Sequence, residues 1–319
     1  MLDDIPGYSS RVTLAGHRII SLHYTADPAK RGKDWAERAK RESASDADWQ
    51  REEELNWDIT GGAAVFPEFA EYGQERYLYE PTELLALPVL RGWDLGERAP
   101  GVVWIQYSAT SDRLYIIREW FPRGIATHWL RDVVRWCSGQ LAYYELAPEA
   151  QEWADLLGRL PGAPKPPWFA PNTEFMDFAG PEANYVQSIA SRNPTEATQR
   201  AVFAAGGVEL QIAPKSGPAE RAVTLRRLLH PREDGWPGIL ISPSCTEVLA
   251  MFNGGLAWKK PTGINPKPEE IRKDGRHDNT HDALTYCTKQ VVPEAGVPGV
   301  TLPPVSQFVT EENVGWSCD

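Results

Sequence analysis

The chain has 319 residues, of which 42% are hydrophobic and 13 are Trp, and it carries a formal net charge of −11. Such a chain can bury a sizeable core, and its length suggests one large domain with appendages or two domains. The acidic balance argues against a stand-alone nucleic-acid binder, which is ordinarily basic, without excluding a local basic groove. No run of about 18 apolar residues and no charged-then-apolar N-terminus occurs, so neither a membrane span nor a signal peptide is readable. Cys137, Cys245, Cys287 and Cys318 are scattered without a C-x-x-C pair, which predicts free thiols in a reducing compartment.

In chain order, HRIISLHYTADP (17–28) predicts a strand. The charged, Trp-punctuated stretch from Asp34 to Trp57 has helical composition but few apolar positions, which suits a solvated or partner-facing helix. A three-strand meander is expected over 88–95, 101–108 and 113–121, with turns at GERAPG and ATSD. Helical pattern follows around 126–158, and the Pro-rich LPGAPKPPWFAP (160–171) breaks it. Next come a strand into Asp177, a helix near 182–205, a strand at 208–214, a helix at 219–230, a strand at 238–243 and a helix at 245–252. A last helix runs through Asp282, and the Pro/Gly-rich tail from residue 293 predicts irregular structure. Strand–helix alternation after an antiparallel start predicts an α/β fold, a mixed sheet flanked by helices.

Three acids stand at the edges of these elements: Asp94 in VLRGWDLGERAPGVVWIQY (89–107), Asp177 in TEFMDFAG (173–180) and Asp282 in RHDNTHDALTY (276–286). Carboxylates next to buried strands need a partner or a purpose, and a shared divalent cation is one such purpose. Three unrelated acids at loop mouths are the plainer alternative. Near the last acid, Asp278 suits an N-cap ahead of Asn-Thr, with metal ligation as the alternative. His277 and His281 have the spacing of a helical zinc pair, but Asp278 fills the slot of the catalytic Glu of H-E-x-x-H, so zinc is not expected. Glu97 and Glu119 suit supporting or structural roles. Basic density is found at Lys215, Arg221, Arg226 and Arg227, then at Lys259 and Lys260 beside Trp258, and at Lys267, Lys273 and Arg276. Contacts from such residues to phosphates would be sequence-independent and salt-sensitive.

The order of elements, with an acid on the first strand, another on a later strand and the last on a C-terminal helix, resembles the ground plan of RNase H-like nucleases. GWDLGERAPGVVWIQ with RLYIIREW, then FMDFAG, RAVTLRRLL…GILISPSCTEVLAMFNGGLAWKK (221–260) and HDALTY (281–286) together resemble the nuclease domain of phage terminase large subunits. WQREEELNWDITGGAAVFPEF (49–69) resembles the segment that joins the ATPase of that motor to its nuclease. The resemblance implies a linker region over 1–57, an RNase H-like nuclease domain over 58–292 and an irregular tail over 293–319. It implies a metal-dependent endonuclease that cuts concatemeric viral DNA, with two Mg²⁺ or Mn²⁺ ions: Asp94 bridging both, Asp177 holding one and Asp282 the other. It gives His281 a role as ligand or water-orienting group. Implied partners are double-stranded DNA, a terminase ATPase domain or subunit, the small terminase subunit and the portal protein, with no membrane, in the host cytoplasm. DPAKRGKD (27–34) is not a phosphate-binding loop, since Asp27 and Asp34 stand where Gly and Ser or Thr are required. Two alternatives are a non-catalytic docking module of the packaging motor and another RNase H-like enzyme such as a junction resolvase.

Overall fold

The computed structural model describes residues 6–12, 18–42, 49, 53–55, 63–79, 87–96, 99–159, 165–170, 172–185, 198–232, 234–259 and 270–292. They fall into two compact units, one of residues up to 72 with 249–278, the other of 73–248 with those from 279 onward.

In the first unit, β1 (Tyr8–Val12) and β2 (Arg18–Leu22) form an antiparallel hairpin, with Ser10 opposite Ile20. Only the second of these strands is legible in the sequence. The helix α1 (Lys33–Glu42) follows two short 3-10 turns. It contributes Trp35 to a ring cluster in which Tyr24 lies 5.1 Å from Trp35 and 5.7 Å from Trp49. The short helix α2 (Pro67–Glu71) brings Phe69 to stack on Phe252 at 5.4 Å, with Phe66 on the same ring at 4.8 Å.

The second unit is built on a six-stranded mixed sheet. Its strands are β3 (Val89–Asp94), β4 (Gly101–Ser108), β5 (Arg113–Trp120), β6 (Phe175–Ala179), β7 (Leu210–Ile212) and β8 (Ile239–Ile241). Their spatial order is β7-β6-β3-β4-β5-β8. The β3–β4–β5 meander is antiparallel, whereas β6, β7 and β8 add in parallel, which is the mixed sheet expected from the alternation of elements. Every residue of the central strand β3 is buried.

One face of the sheet packs on α3 (Thr127–Cys137), α4 (Pro148–Gly158) and α5 (Gln199–Ala205). Here Trp93 meets Phe203 edge-on at 4.8 Å, within a core that includes Val89, Trp104, Leu130 and Leu210. The helical pattern at 126–158 is two helices because Gly139, at φ +77°, turns the chain between them. Of the helix expected near 182–205, the described residues form only a 3-10 turn at Pro181–Asn184 and then α5.

The other face carries α6 (Pro218–Leu229), α7 (Thr246–Ala250) and α8 (His277–Val291). The helix α8 approaches β3 at Gly92, where an added Cβ would stand 2.1 Å from the Ala283 carbonyl oxygen and 2.9 Å from Cys287 Cβ. Only glycine permits this contact, and it sets which strand residues share a face with the last helix. Gly92→Ala should therefore lower stability by about 1–3 kcal/mol through overpacking and displace α8. Thermal unfolding checks the cost, and an unshifted melting temperature would contradict the close approach.

Cys137, Cys245 and Cys287 are free and buried, as the spacing predicts, while Cys318 lies outside the described residues. Among the described residues no helix is long and apolar enough to cross a membrane.

Candidate active site

Side chains alternate along a strand, so Asp94 shares the face of Gly92 and points to the side on which α8 packs. It closes the central strand and is buried. Asp282 comes from α8, next in sequence to the Ala283 carbonyl that touches Gly92. The structure thus brings two of the three sequence-predicted acids to one side of the sheet.

Arg221 holds Asp282 in place. Its Nη2 donates to Asp282 Oδ1, its Nε to Thr285 Oγ1 at 3.0 Å and its Nη1 to the Ser216 carbonyl at 2.6 Å. The guanidinium also lies 4.7 Å from the ring centroid of Tyr286. This arginine is buried and tied to an acid, so it is not a surface phosphate contact as its sequence neighbourhood suggests. Burial alone would raise the Asp282 pKa, but His281 Nδ1 at 3.3 Å and the Arg221 charge outweigh it, and the carboxyl is held below its ordinary value. Asp282 is therefore ionised at neutral pH. His281 is fully buried beside it, a place from which it orients the carboxylate.

Tyr286 lies one turn further along α8. Burial pushes its hydroxyl pKa strongly up, with the negative charges of Asp282, Glu182 and Asp94 adding to that and Arg221 opposing it. Glu182 follows β6 in a 3-10 turn and carries no motif that marks it in the sequence.

Asp177 does not join this group. The parallel register pairs it with Arg91, so its side chain lies on the opposite face, toward α3 and α5. Arg91 Nε and Nη2 each donate to one carboxylate oxygen at 2.7 Å, and Trp93 Nε1 donates to Oδ1 at 2.7 Å. In this geometry Asp177 stands apart from Asp94 and Asp282, with which it is expected to share a metal. Both of its oxygens are already occupied by buried donors on the far side of the sheet. Among the described residues no three His, Cys, Asp or Glu side chains close on one another as a metal-ligand set.

Asp278 is also placed differently from expectation. The helix begins at His277, so Asp278 lies within the first turn and not ahead of it. The acid that precedes the helix is Asp274, which accepts from the amides of Arg276 at 2.9 Å and His277 at 2.8 Å and from His277 Nδ1 at 2.6 Å. Asp278 reaches back to the Gly275 amide at 2.6 Å. Its pKa is raised, first by burial and then by the neighbouring Asp274 carboxyl, which suits a hydrogen-bonded pair of acids better than an independent cation ligand.

Glu119 has a structural role. Its carboxylate accepts from the amides of Glu247 at 2.7 Å and Val248 at 2.9 Å, at the start of α7. Burial pushes this carboxyl up to about 8, against the lowering pull of those two amides. A carboxyl raised on folding contributes stability that is fully present below its unfolded pKa, near 4.5, and lost as pH rises through about 8. The melting temperature should accordingly fall between about pH 5 and pH 8, and Glu119→Gln should flatten that slope. Parallel slopes for the two proteins would sink this account. Glu97 lies outside the described residues.

The basic candidates are dispersed. In the second unit Lys215 is exposed, Arg226 is partly buried and Arg227 lies 4.0 Å from Asp112. In the first unit Lys259 pairs with Glu270 at 3.1 Å, Lys273 is exposed and Arg276 is partly exposed. Lys260 and Lys267 lie outside the described residues.

No profile of a known protein family matches the chain, and no curated protein does. Solved structures do resemble it. A large terminase from a thermophilic bacteriophage aligns with 86% of this chain at 14% identity and a TM-score of 0.43. The chain spans only 56% of that protein's length. The large terminase nuclease domain of phage P22 aligns with 71% of this chain over 92% of its own length, at 13% identity and a TM-score of 0.43. The large terminase nuclease domain of bacteriophage SPP1, solved with manganese bound, aligns with 66% of this chain over 94% of its own length, at 15% identity and a TM-score of 0.37. The solved structures to which this chain is similar are thus large terminases and their nuclease domains, and the likeness is one of fold.

Proposed function

We propose that this chain is a divalent-cation-dependent endonuclease acting on double-stranded DNA, with Asp94 and Asp282 as its essential carboxylates. The observation that carries this reading is their common placement. A buried aspartate closes the central strand, and a second aspartate is presented by the helix that touches that strand at Gly92. Aspartate oxygens are hard donors and fit Mg²⁺ or Mn²⁺, whereas Asp177 with its arginine clamp does not. A cation held by such donors supplies Lewis acidity at the scissile phosphate and a more acidic water. The residues themselves do the rest. Arg221 and His281 keep Asp282 ionised and aimed, and the Tyr286 ring packs against the Arg221 guanidinium.

Contacts to the DNA backbone without sequence preference are proposed for Lys215, Arg226 and Arg227 in the second unit and for Lys259, Lys273 and Arg276 in the first, and on the sequence alone for Lys260 and Lys267. The motif resemblance supports a role in cutting concatemeric phage DNA during packaging, alongside an ATPase domain or subunit, a small subunit and a portal, in the host cytoplasm. Digestion of supercoiled plasmid tests the core of this reading. Nicking or degradation is expected with Mn²⁺ or Mg²⁺, little with Ca²⁺, and none in EDTA or with Asp94→Ala. Robust cleavage in EDTA, or full activity of the Ala variant, would overturn it.

A further inference from the structure

A cavity of about 510 Å³ lies within the second unit, and its lining includes Arg91, Gln140, Phe175, Asp177, Glu209 and Gln211. Small-molecule sites span roughly 300–1,000 Å³, so the space suits a compact ligand. Arg91 and Asp177 are register partners on adjacent parallel strands, and both are almost fully buried, so they form its floor. Their side chains lie on the face of the sheet away from Asp94 and Asp282.

The hydrogen bonds of this floor leave a defined remainder. Arg91 uses Nε and one Nη2 hydrogen on Asp177, at 2.7 Å each, and its Nη1 hydrogens on Gln140 Oε1 at 2.7 Å and Ser138 Oγ at 3.3 Å. One Nη2 hydrogen is left over. Asp177 Oδ1 accepts from Arg91 and from Trp93 Nε1, whereas among the described residues Oδ2 accepts from Arg91 alone and keeps a further acceptor position. The bond to Gln140 Oε1 also fixes that amide, so its Nε2 is the end that offers donors to the cavity. The lining thus presents donors from two side chains, Arg91 and Gln140, and an acceptor from Asp177.

Charge narrows the ligand class. Arg91 stands against both Asp177 and Glu209, so the lining is net negative and disfavours a phosphate or carboxylate. Phe175, Met176 and Val208 add apolar wall, which favours a flat ring over a sugar alone. The complement of this floor is a neutral ring with two acceptors and one donor along an edge. Pyrimidine bases carry that edge: an amino group beside a ring nitrogen and a carbonyl in cytosine, an N–H between two carbonyls in uracil. Guanine carries the reverse count, and proteins that read an unpaired base do so on this edge.

We propose that the cavity is a binding site for a neutral pyrimidine nucleoside, on the opposite face of the sheet from the candidate active site. The proposal stands independently of the nuclease reading.

Calorimetric titration of the whole chain in EDTA, with cytidine as probe, tests it. Cytidine and uridine should bind with a Kd on the order of 0.1–1 mM, and guanosine and cytidine 5′-monophosphate about tenfold more weakly. Gln140 is exposed, so Gln140→Met should melt like wild type while weakening cytidine about tenfold. Glu209→Gln should bring the monophosphate closer to cytidine, because it removes the negative charge that the phosphate meets. Asp94→Asn should bind cytidine as wild type does. No binding of either pyrimidine nucleoside up to millimolar concentration would overturn the proposal, as would guanosine or the monophosphate binding as tightly as cytidine. An unchanged affinity in Gln140→Met, or loss of cytidine binding in Asp94→Asn, would place the ligand elsewhere and overturn it as well.

Discussion

Replacing Arg91 alone by Met is expected to cost the fold on the order of 3–5 kcal/mol, a drop of roughly 10 °C or more in melting temperature. The side chain is 1% exposed and lies in the central strand of the sheet. Its removal leaves Asp177 buried with only the Trp93 indole as donor and takes the Arg91 donor from Gln140, while Ser138 keeps the Trp104 indole. The cost comes from the orphaned carboxylate more than from the lost attraction, since a matched buried pair is worth little over a well-packed apolar one. Chemical denaturation of Arg91→Met and of the double variant Arg91→Met with Asp177→Leu separates the two contributions. A single variant within about 1 kcal/mol of wild type would show that water reaches Asp177, and the clamp account would fail.

Asp94→Asn is expected to behave in the opposite way. Cleavage should fall by on the order of 10³-fold, comparable to loss of one pre-organised charge-stabilising group. The protein in EDTA should stay as stable as wild type or become slightly more so. The Asp94 charge adds to those of Asp282 and Glu182 in raising the Tyr286 hydroxyl pKa, with Arg221 opposing them. Neutralising one acid relieves repulsion in a site of low dielectric. Mn²⁺ should raise the wild-type melting temperature more than that of the variant, because a ligand stabilises only the state that binds it. Marked destabilisation of the Asn protein in EDTA would instead assign Asp94 a structural hydrogen-bonding role. Asp282 is a poorer choice for such a comparison. Its removal would also leave Arg221 without its carboxylate partner, so activity and stability would fall together.

Much of the sheet was legible because the meander and the later strands are apolar runs separated by turn residues. The order of acids along the chain likewise singles out Asp94 and Asp282, which lie on one side of the sheet. That Asp177 lies on the other side has a specific origin. In FMDFAG both alternating sets, Phe175 with Ala179 and Met176 with Phe178, are apolar, so the pattern does not decide which face the Asp takes. The signal that could have decided it is Arg91, a charge inside the otherwise buried run VLRGWD, which demands a counter-charge on a neighbouring strand. Asp278 falls inside the helix because the helix starts at His277, two residues earlier than Asn279-Thr280 suggests, and Asp274 accepts from the first amides instead.

The contact at Gly92 has a consequence for how this site tolerates change. Strand and helix meet there main chain to side-chain-free main chain, through the Ala283 carbonyl, with no rotamer between them. The spacing between the two elements that present Asp94 and Asp282 is therefore set by backbone dimensions. Substitutions among Leu130, Val133, Val134 or Phe203, all on the opposite face, can drift in size without altering that spacing. A protein engineer should find size changes in those apolar residues easier to accommodate at the site than any side chain at this one glycine.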